Sequence, residues 1–171
     1  MSAPGRQLGH LKETHNLLKA ARIPHWLAGG WAIDFLVGRV TRQHSDVDFA
    51  IWKDDWRRVE ALLRAHEFTL RANEFPDETG RLAHQGTHFE FYLLQKNAAG
   101  DIFVGGRWKD WPFSDDCWNA TGCLQGAGNN VGLTKSTVHH CGRKTSKTLI
   151  FFVRIWRGRC RSKACSVSPT R

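Results

Sequence analysis

The stretch Trp26-Leu27-Ala28-Gly29-Gly30-Trp31-Ala32-Ile33-Asp34-Phe35-Leu36-Val37-Gly38-Arg39-Val40-Thr41-Arg42-Gln43-His44-Ser45-Asp46-Val47-Asp48 decides the fold of this chain. Its end continues as Phe49-Ala50-Ile51-Trp52. In an extended strand the side-chain period is two, so Asp46 and Asp48 project from one face. Val47, Phe49 and Ile51 then point the other way, into a core. A paired-carboxylate edge of this kind suits a hard divalent cation such as Mg²⁺. Gly30 lies sixteen residues before Asp46. The pair Gly29-Gly30 opens a helical stretch, where free backbone N–H groups can receive a phosphate. Metal plus triphosphate is the chemistry to which this pattern points.

Working outward, Leu8, Leu11, Leu18 and Ala21 recur at helical spacing, and Pro24 ends the run, which predicts an opening helix over 7–22. Trp26-Leu27-Ala28 reads as a short buried strand. Trp31 to Val37 continues the helix begun at the glycines, closed by Gly38 as a C-cap. A polar connection, Arg39 to Ser45, leads to a carboxylate strand from Asp46 to Trp52. Asp54 and Asp55 favour the start of the next helix through its dipole. That helix has Trp56, Val59, Leu62 and Leu63 on one face and ends around His66. Phe68 to Leu70 reads as a short strand, and Ala72 to Gly80 as a turn-rich, charged loop. Thr87 to Leu93 alternates, with Phe89, Phe91 and Leu93 on one face and His88, Glu90 and Tyr92 on the other. Asp101 to Val104 adds a last strand before Gly105-Gly106. Strands interleaved with helices argue for an α/β or α+β sheet with helices packed on it.

The 171 residues suffice for one compact domain, or for a small domain with an appendage. No apolar run approaches the roughly 20 residues of a membrane span. The start, Met1 to Gln7, lacks the apolar core of a signal peptide. The default expectation is a soluble, cytoplasmic protein. The net charge of +9 hides two compositions. Residues 1–116 carry 15 Lys and Arg against 16 Asp and Glu, whereas 117–171 carry 10 basic residues and no acid. All five cysteines, Cys117, Cys123, Cys141, Cys160 and Cys165, fall in the second part. At an acid frequency of roughly one residue in nine, chance would give only a few such 55-residue segments in a thousand. The expected organisation is therefore a domain over 1–116 and a basic, cysteine-containing tail over 117–171. That tail reads as unselected for folding on its own, being either out of frame or simply basic. Its one apolar run, Thr148 to Trp156, is strand-like but sits between basic blocks.

The run from Trp26 to Asp48 resembles the signature of the antibiotic nucleotidyltransferases. These are the aminoglycoside and lincosamide adenylyltransferases of the DNA polymerase β-like superfamily. The resemblance covers roughly residues 8–116, and its specific part is an ensemble: Gly29-Gly30-Trp31, Asp34 three residues on, Thr41-Arg42-x-His44, then Asp46-x-Asp48. It implies a mixed sheet flanked by helices. It also implies transfer of AMP from ATP to a hydroxyl of a small antibiotic, with two Mg²⁺ ions bridging the phosphates. Asp46 and Asp48 would bind the metals, and Gly29 and Gly30 would let the backbone approach the triphosphate. A third carboxylate on a later strand completes such a site. Glu90 takes that role by position and parity, as metal ligand or as base for the attacking hydroxyl. The family often shows Asp there. Arg42 and His44 flank the site and are candidates to pair with phosphate oxygens. Asp34 reads as a structural anchor of the connection, through Arg39 or Arg42, and Trp31 as core.

Family members usually continue into helices that wall the acceptor pocket, and 117–171 resembles none of them. An impaired relative that binds nucleotide without turnover is therefore an alternative, as is a homodimer that supplies the wall. A toxin–antitoxin type of nucleotidyltransferase, acting on a protein partner, usually has Gly-Ser where this chain has Gly29-Gly30. Specific nucleic-acid recognition is not expected, because the basic tail carries no motif for reading bases. His139, His140, Cys141, Cys160 and Cys165 fit no paired zinc-ligand spacing, so they are read as unligated, with reduced thiols. Glu74, Asp77 and Glu78, with Asp115 and Asp116, are candidate contacts for a cationic sugar.

Overall fold

In the computed structural model the described residues are 3–110, 112 and 113. The expectations about Asp115, Asp116 and the 117–171 tail, with its cysteines and histidines, lie outside them. The chain opens with helix α1 (Ala3–Ala20), followed by strand β1 (His25–Ala28) and helix α2 (Gly29–Val37). Strand β2 (Asp46–Trp52) leads through a 3₁₀ turn into α3 (Trp56–Arg64) and β3 (Thr69–Leu70). Strands β4 (Thr79–His84), β5 (Thr87–Lys96) and β6 (Ile102–Val104) complete one sheet. No helix among the described residues is long and apolar enough to cross a membrane.

The sheet runs β1-β2-β5-β4-β3, with β6 on the far end of β5. β2 and β5 are parallel at its centre, and every other pairing is antiparallel. The strands' alternation divides the apolar residues cleanly. Val47, Phe49 and Ile51 of β2 join Phe89, Phe91 and Leu93 of β5 beneath all three helices. Leu11 and Leu18 of α1, Trp31 and Phe35 of α2, and Val59 and Leu63 of α3 close that core. Phe49 and Phe91 stack across the parallel pair with ring centroids 5.7 Å apart. The opposite face carries a smaller cluster of Ala28, Ala50, Leu94 and Val104, flanked by Trp26, Trp52, Tyr92 and Trp108. Asp46, Asp48 and Glu90 belong to this second face, opposite the one covered by α1, α2 and α3.

Most expected elements are present, α2 among them with both of its glycine boundaries, while the start of α1 and the strand β4 differ. α1 begins at Ala3, with Pro4 in the first turn, where its missing N–H costs nothing. α2 begins at Gly29 itself and ends on Gly38, whose φ of 85° forms the left-handed cap. Strand β4 is the element that sequence reading missed, because Leu82 is its only large apolar residue. Gly80 has a packing cause: a Cβ there would overlap the Trp56 indole. The hairpin to β5 turns on Gln85 and Gly86, with φ of 46° and 80°. A two-residue turn with positive φ at both positions matches the twist of the flanking strands.

Candidate active site

Backbone register builds the centre of the site. Asp48 lies between Ala28 of antiparallel β1 and Glu90 of parallel β5, while Asp46 faces His88. The three carboxylates expected from the sequence thus share one face of two adjacent strands. Asp48 is buried, at 8% exposure, and no hydrogen bond reaches its carboxylate among the described residues. Asp46 is half-buried and accepts a bond from Ser45 Oγ at 3.0 Å. Burial pushes the Asp48 carboxyl up to about 7, reinforced by the like charges of Asp46 and Glu90 and opposed by Arg42. The same surroundings, burial first, raise Tyr92, the next residue along this face of β5.

β1 runs directly into α2, so the helix N-terminus abuts Asp48. Gly29 has φ of 63°, and a Cβ on it would overlap the Asp48 carboxylate. Gly30 is equally confined: a Cβ there would overlap His44 and lie 2.7 Å from Arg42 Nη2. The glycines are therefore required by this chain's own side chains. Ala28 at the N-cap offers no side-chain bond to the first turn. The backbone N–H groups of that turn keep the capacity to bind an anion. Arg42 sits at this helix end, with its Nη1 donating to Gln43 O at 3.1 Å.

The connection from α2 to β2 is held by a buried network. Asp34 Oδ1 accepts from the Thr41 backbone N–H at 3.1 Å and from its hydroxyl at 2.5 Å. Asp34 Oδ2 pairs with His44 Nε2 at 2.6 Å. Asp34 is thus the anchor expected, but its partners are Thr41 and His44 rather than Arg39 or Arg42. Guanidinium groups would have to bury a second large charge there, whereas a hydroxyl and an imidazole fit the enclosed space. His44 packs on Trp31 with centroids 4.7 Å apart. Its Nδ1 is buried beside Gly30 without a partner among the described residues. His44, expected to meet phosphate, thus stands buried at the helix end with Nε2 committed to Asp34.

Glu90 departs most from expectation. Its Oε1 accepts from Arg81 Nε at 2.8 Å, across the β4–β5 pair where the two residues are register partners. No group of three His, Cys, Asp or Glu side chains converges as a metal centre among the described residues. Two of the loop acids, Glu78 and Asp77, are also engaged. Glu78 is buried and takes both Nε and Nη2 of Arg107, the latter at 2.8 Å, which holds its carboxyl below the usual range. Asp77 pairs with Lys53 at 3.2 Å. Glu78 is thus a fastening between β4 and the turn after β6, not a free contact for a cationic sugar. Sequence reading missed both Arg81 and Arg107, since β4 was not recognised.

A family model described as aminoglycoside-2''-adenylyltransferase matches residues 10–128. The chain belongs to that family. The match spans the Gly29–Asp48 motif, all six strands and the turn beyond them. Among curated relatives, a 2''-aminoglycoside nucleotidyltransferase of Escherichia coli is 42% identical over 52 residues, 29% of each chain. A lincosamide resistance protein of Staphylococcus haemolyticus is 22% identical over 87 residues, 51% of this chain and 54% of that one. The aligned stretches thus span between a third or less and about half of these relatives' lengths. Two solved structures share the family's fold. Lincomycin-bound LnuA, a lincosamide antibiotic adenylyltransferase, gives a TM-score of 0.56 at 22% identity, over 67% of this chain and 73% of that chain. ANT(2")-Ia with adenylyl-2"-tobramycin gives 0.53 at 18% identity, over 70% and 61%. The family's named members here are antibiotic nucleotidyltransferases, which are enzymes.

Proposed function

We propose that the chain transfers an adenylyl group from ATP to a hydroxyl of an aminoglycoside or lincosamide antibiotic, dependent on Mg²⁺. One observation carries the reading: Asp48 lies between an uncapped helix N-terminus and a second carboxylate in register. A helix N-terminus suited to anions beside carboxylates suited to a cation is what a metal-bound triphosphate requires, which supports the reading. The residues fit a divalent cation. No hydrogen bond reaches the Asp48 carboxylate among the described residues, and burial first, then the like charges of Asp46 and Glu90, raises it. Asp46 and Asp48 would hold the ion, with Glu90 as third ligand or base.

A cation bound there would neutralise carboxylate and phosphate oxygens and polarise the α-phosphorus. The chain's own groups do the rest. The first-turn N–H groups of α2 and the Arg42 guanidinium bind phosphate oxygens, and His44 holds that helix end against Asp34. Where Glu90 serves as base rather than as third ligand, it accepts the proton of the attacking hydroxyl. The hydroxyl oxygen bonds to the α-phosphorus, the bond to the bridging oxygen breaks, and pyrophosphate leaves with its electron pair. Orienting acceptor and phosphorus for in-line attack supplies much of the rate.

The test is pyrophosphate release from ATP with Mg²⁺ across a panel of aminoglycosides and lincosamides, with Asp48→Asn as control. Acceptor-dependent release that disappears in the variant supports the reading and names the substrate class. ATP binding without release for any acceptor would sink the turnover part of it.

A further inference from the structure

Glu90 is the only one of the three site carboxylates with a cation in hydrogen-bond contact among the described residues. Its partner, Arg81, lies opposite it on β4, while Asp48 lies opposite it on β2. The side chain that would complete a three-carboxylate site is therefore drawn toward the strand away from Asp48. Two arginine–glutamate pairs in this fold differ in build. Arg107, its own side chain 61% exposed, grips Glu78 through Nε and Nη2, and that carboxylate is 4% exposed. Such forked contacts to an enclosed acid make a permanent fastening. Arg81 reaches Glu90 through Nε alone, with side chains 40% and 20% exposed. A single bond at a partly wet site is one that another cation can replace.

We propose that Arg81 is a positioning residue for Glu90, a tethered counter-cation that a divalent ion displaces when Glu90 joins Asp46 and Asp48. The proposal rests on the nucleotidyl-transfer reading of this site. Arg81 thereby lowers the site's affinity for free metal, because binding must first break the Arg81–Glu90 bond and overcome the guanidinium's charge. Once displaced, Arg81 stays on the same sheet face, at the margin of the carboxylates.

Binding of Mn²⁺ alone, without nucleotide, to the full chain tests this by calorimetry or electron paramagnetic resonance. The set is wild type, Arg81→Gln, Arg81→Lys and Asp48→Asn, each checked for folding by circular dichroism. Arg81→Gln is expected to bind Mn²⁺ roughly three- to fivefold more tightly, the scale of one partly exposed ion pair. Arg81→Lys, which keeps the charge, is expected to stay within about twofold of wild type. Unchanged or weaker binding by a folded Arg81→Gln, with Asp48→Asn still abolishing binding, overturns the role of Arg81 and leaves the site reading intact. Binding that ignores Asp48→Asn, or no binding by any variant, overturns both.

Discussion

Gly29 and Asp48 compete for one volume: the carboxylate of β2 lies where any side chain at the start of α2 would be. The glycine's positive φ and the aspartate's burial are thus two sides of one arrangement. The helix N-terminus can approach the carboxylate only because the residue between them has no Cβ.

Gly29→Ala is therefore expected to destabilise the fold by about 2–4 kcal/mol, from left-handed backbone strain plus displacement of Asp48. Urea denaturation measures it. Metal binding should fall with it even at temperatures where the variant remains folded. A variant as stable as wild type would contradict the geometry.

Asp48 makes stability depend on pH. Its folded value of about 7 lies above the ordinary 3.8. A raised value means that the unfolded state loses the proton first, so stability is greatest below about 4 and is lost as pH rises to about 7. Asp48→Asn is expected to be more stable than wild type at pH 8 without divalent cations, by up to a few kcal/mol, and to melt higher. The gap should close toward pH 4. Added Mg²⁺ should raise the wild-type melting temperature at pH 8 and leave Asp48→Asn unchanged.

Histidines act in the opposite sense. His25 is lowered chiefly by burial, as is His10, where the neighbouring His84 adds to it. His25 Nε2 meets His15 Nδ1 at 2.8 Å, and His10 Nδ1 meets Thr87 Oγ1 at 2.8 Å, so both pairs fasten α1 to the sheet. A lowered folded value leaves their contribution intact above about 6.5 and removes it as pH falls below that. Urea titrations at pH 7 and pH 5 should show the loss, and His25→Asn should flatten the dependence. Equal slopes in wild type and variant would refute this assignment.

Asp34→Ala should cost about 3–5 kcal/mol, because it strips a buried acceptor from Thr41 and His44 together. Asp34→Asn keeps an acceptor and should cost less. Since the same connection carries Arg42, either change should raise KM for ATP more than it lowers kcat. The reverse split would place Asp34 in the chemistry itself.

Local alternation made β2 and β5 legible, because buried aromatic and branched residues every second position have few other uses. It also placed Asp46, Asp48 and Glu90 on one face. The Gly29-Gly30 pair and the Gly38 cap marked both ends of α2 before any tertiary contact was known. β4 stayed hidden because Thr79, Gly80 and Ala83 carry little hydrophobic signal. Gly80 answers to Trp56 of α3, a partner distant in sequence. Asp34's partners were hidden for a related reason, since Thr41 and His44 reach it only after the connection folds back over α2.

What the sequence determined by itself was the period-two and helical patterning, and with it the strand face on which the carboxylates stand. Those patterns are local, set by backbone geometry within a few residues. Which strand lies beside which, and hence that Glu90 faces Asp48 on one side and Arg81 on the other, came only from the tertiary structure. Register between strands is decided by the whole core packing at once, and a side chain's ionic partner follows from that register.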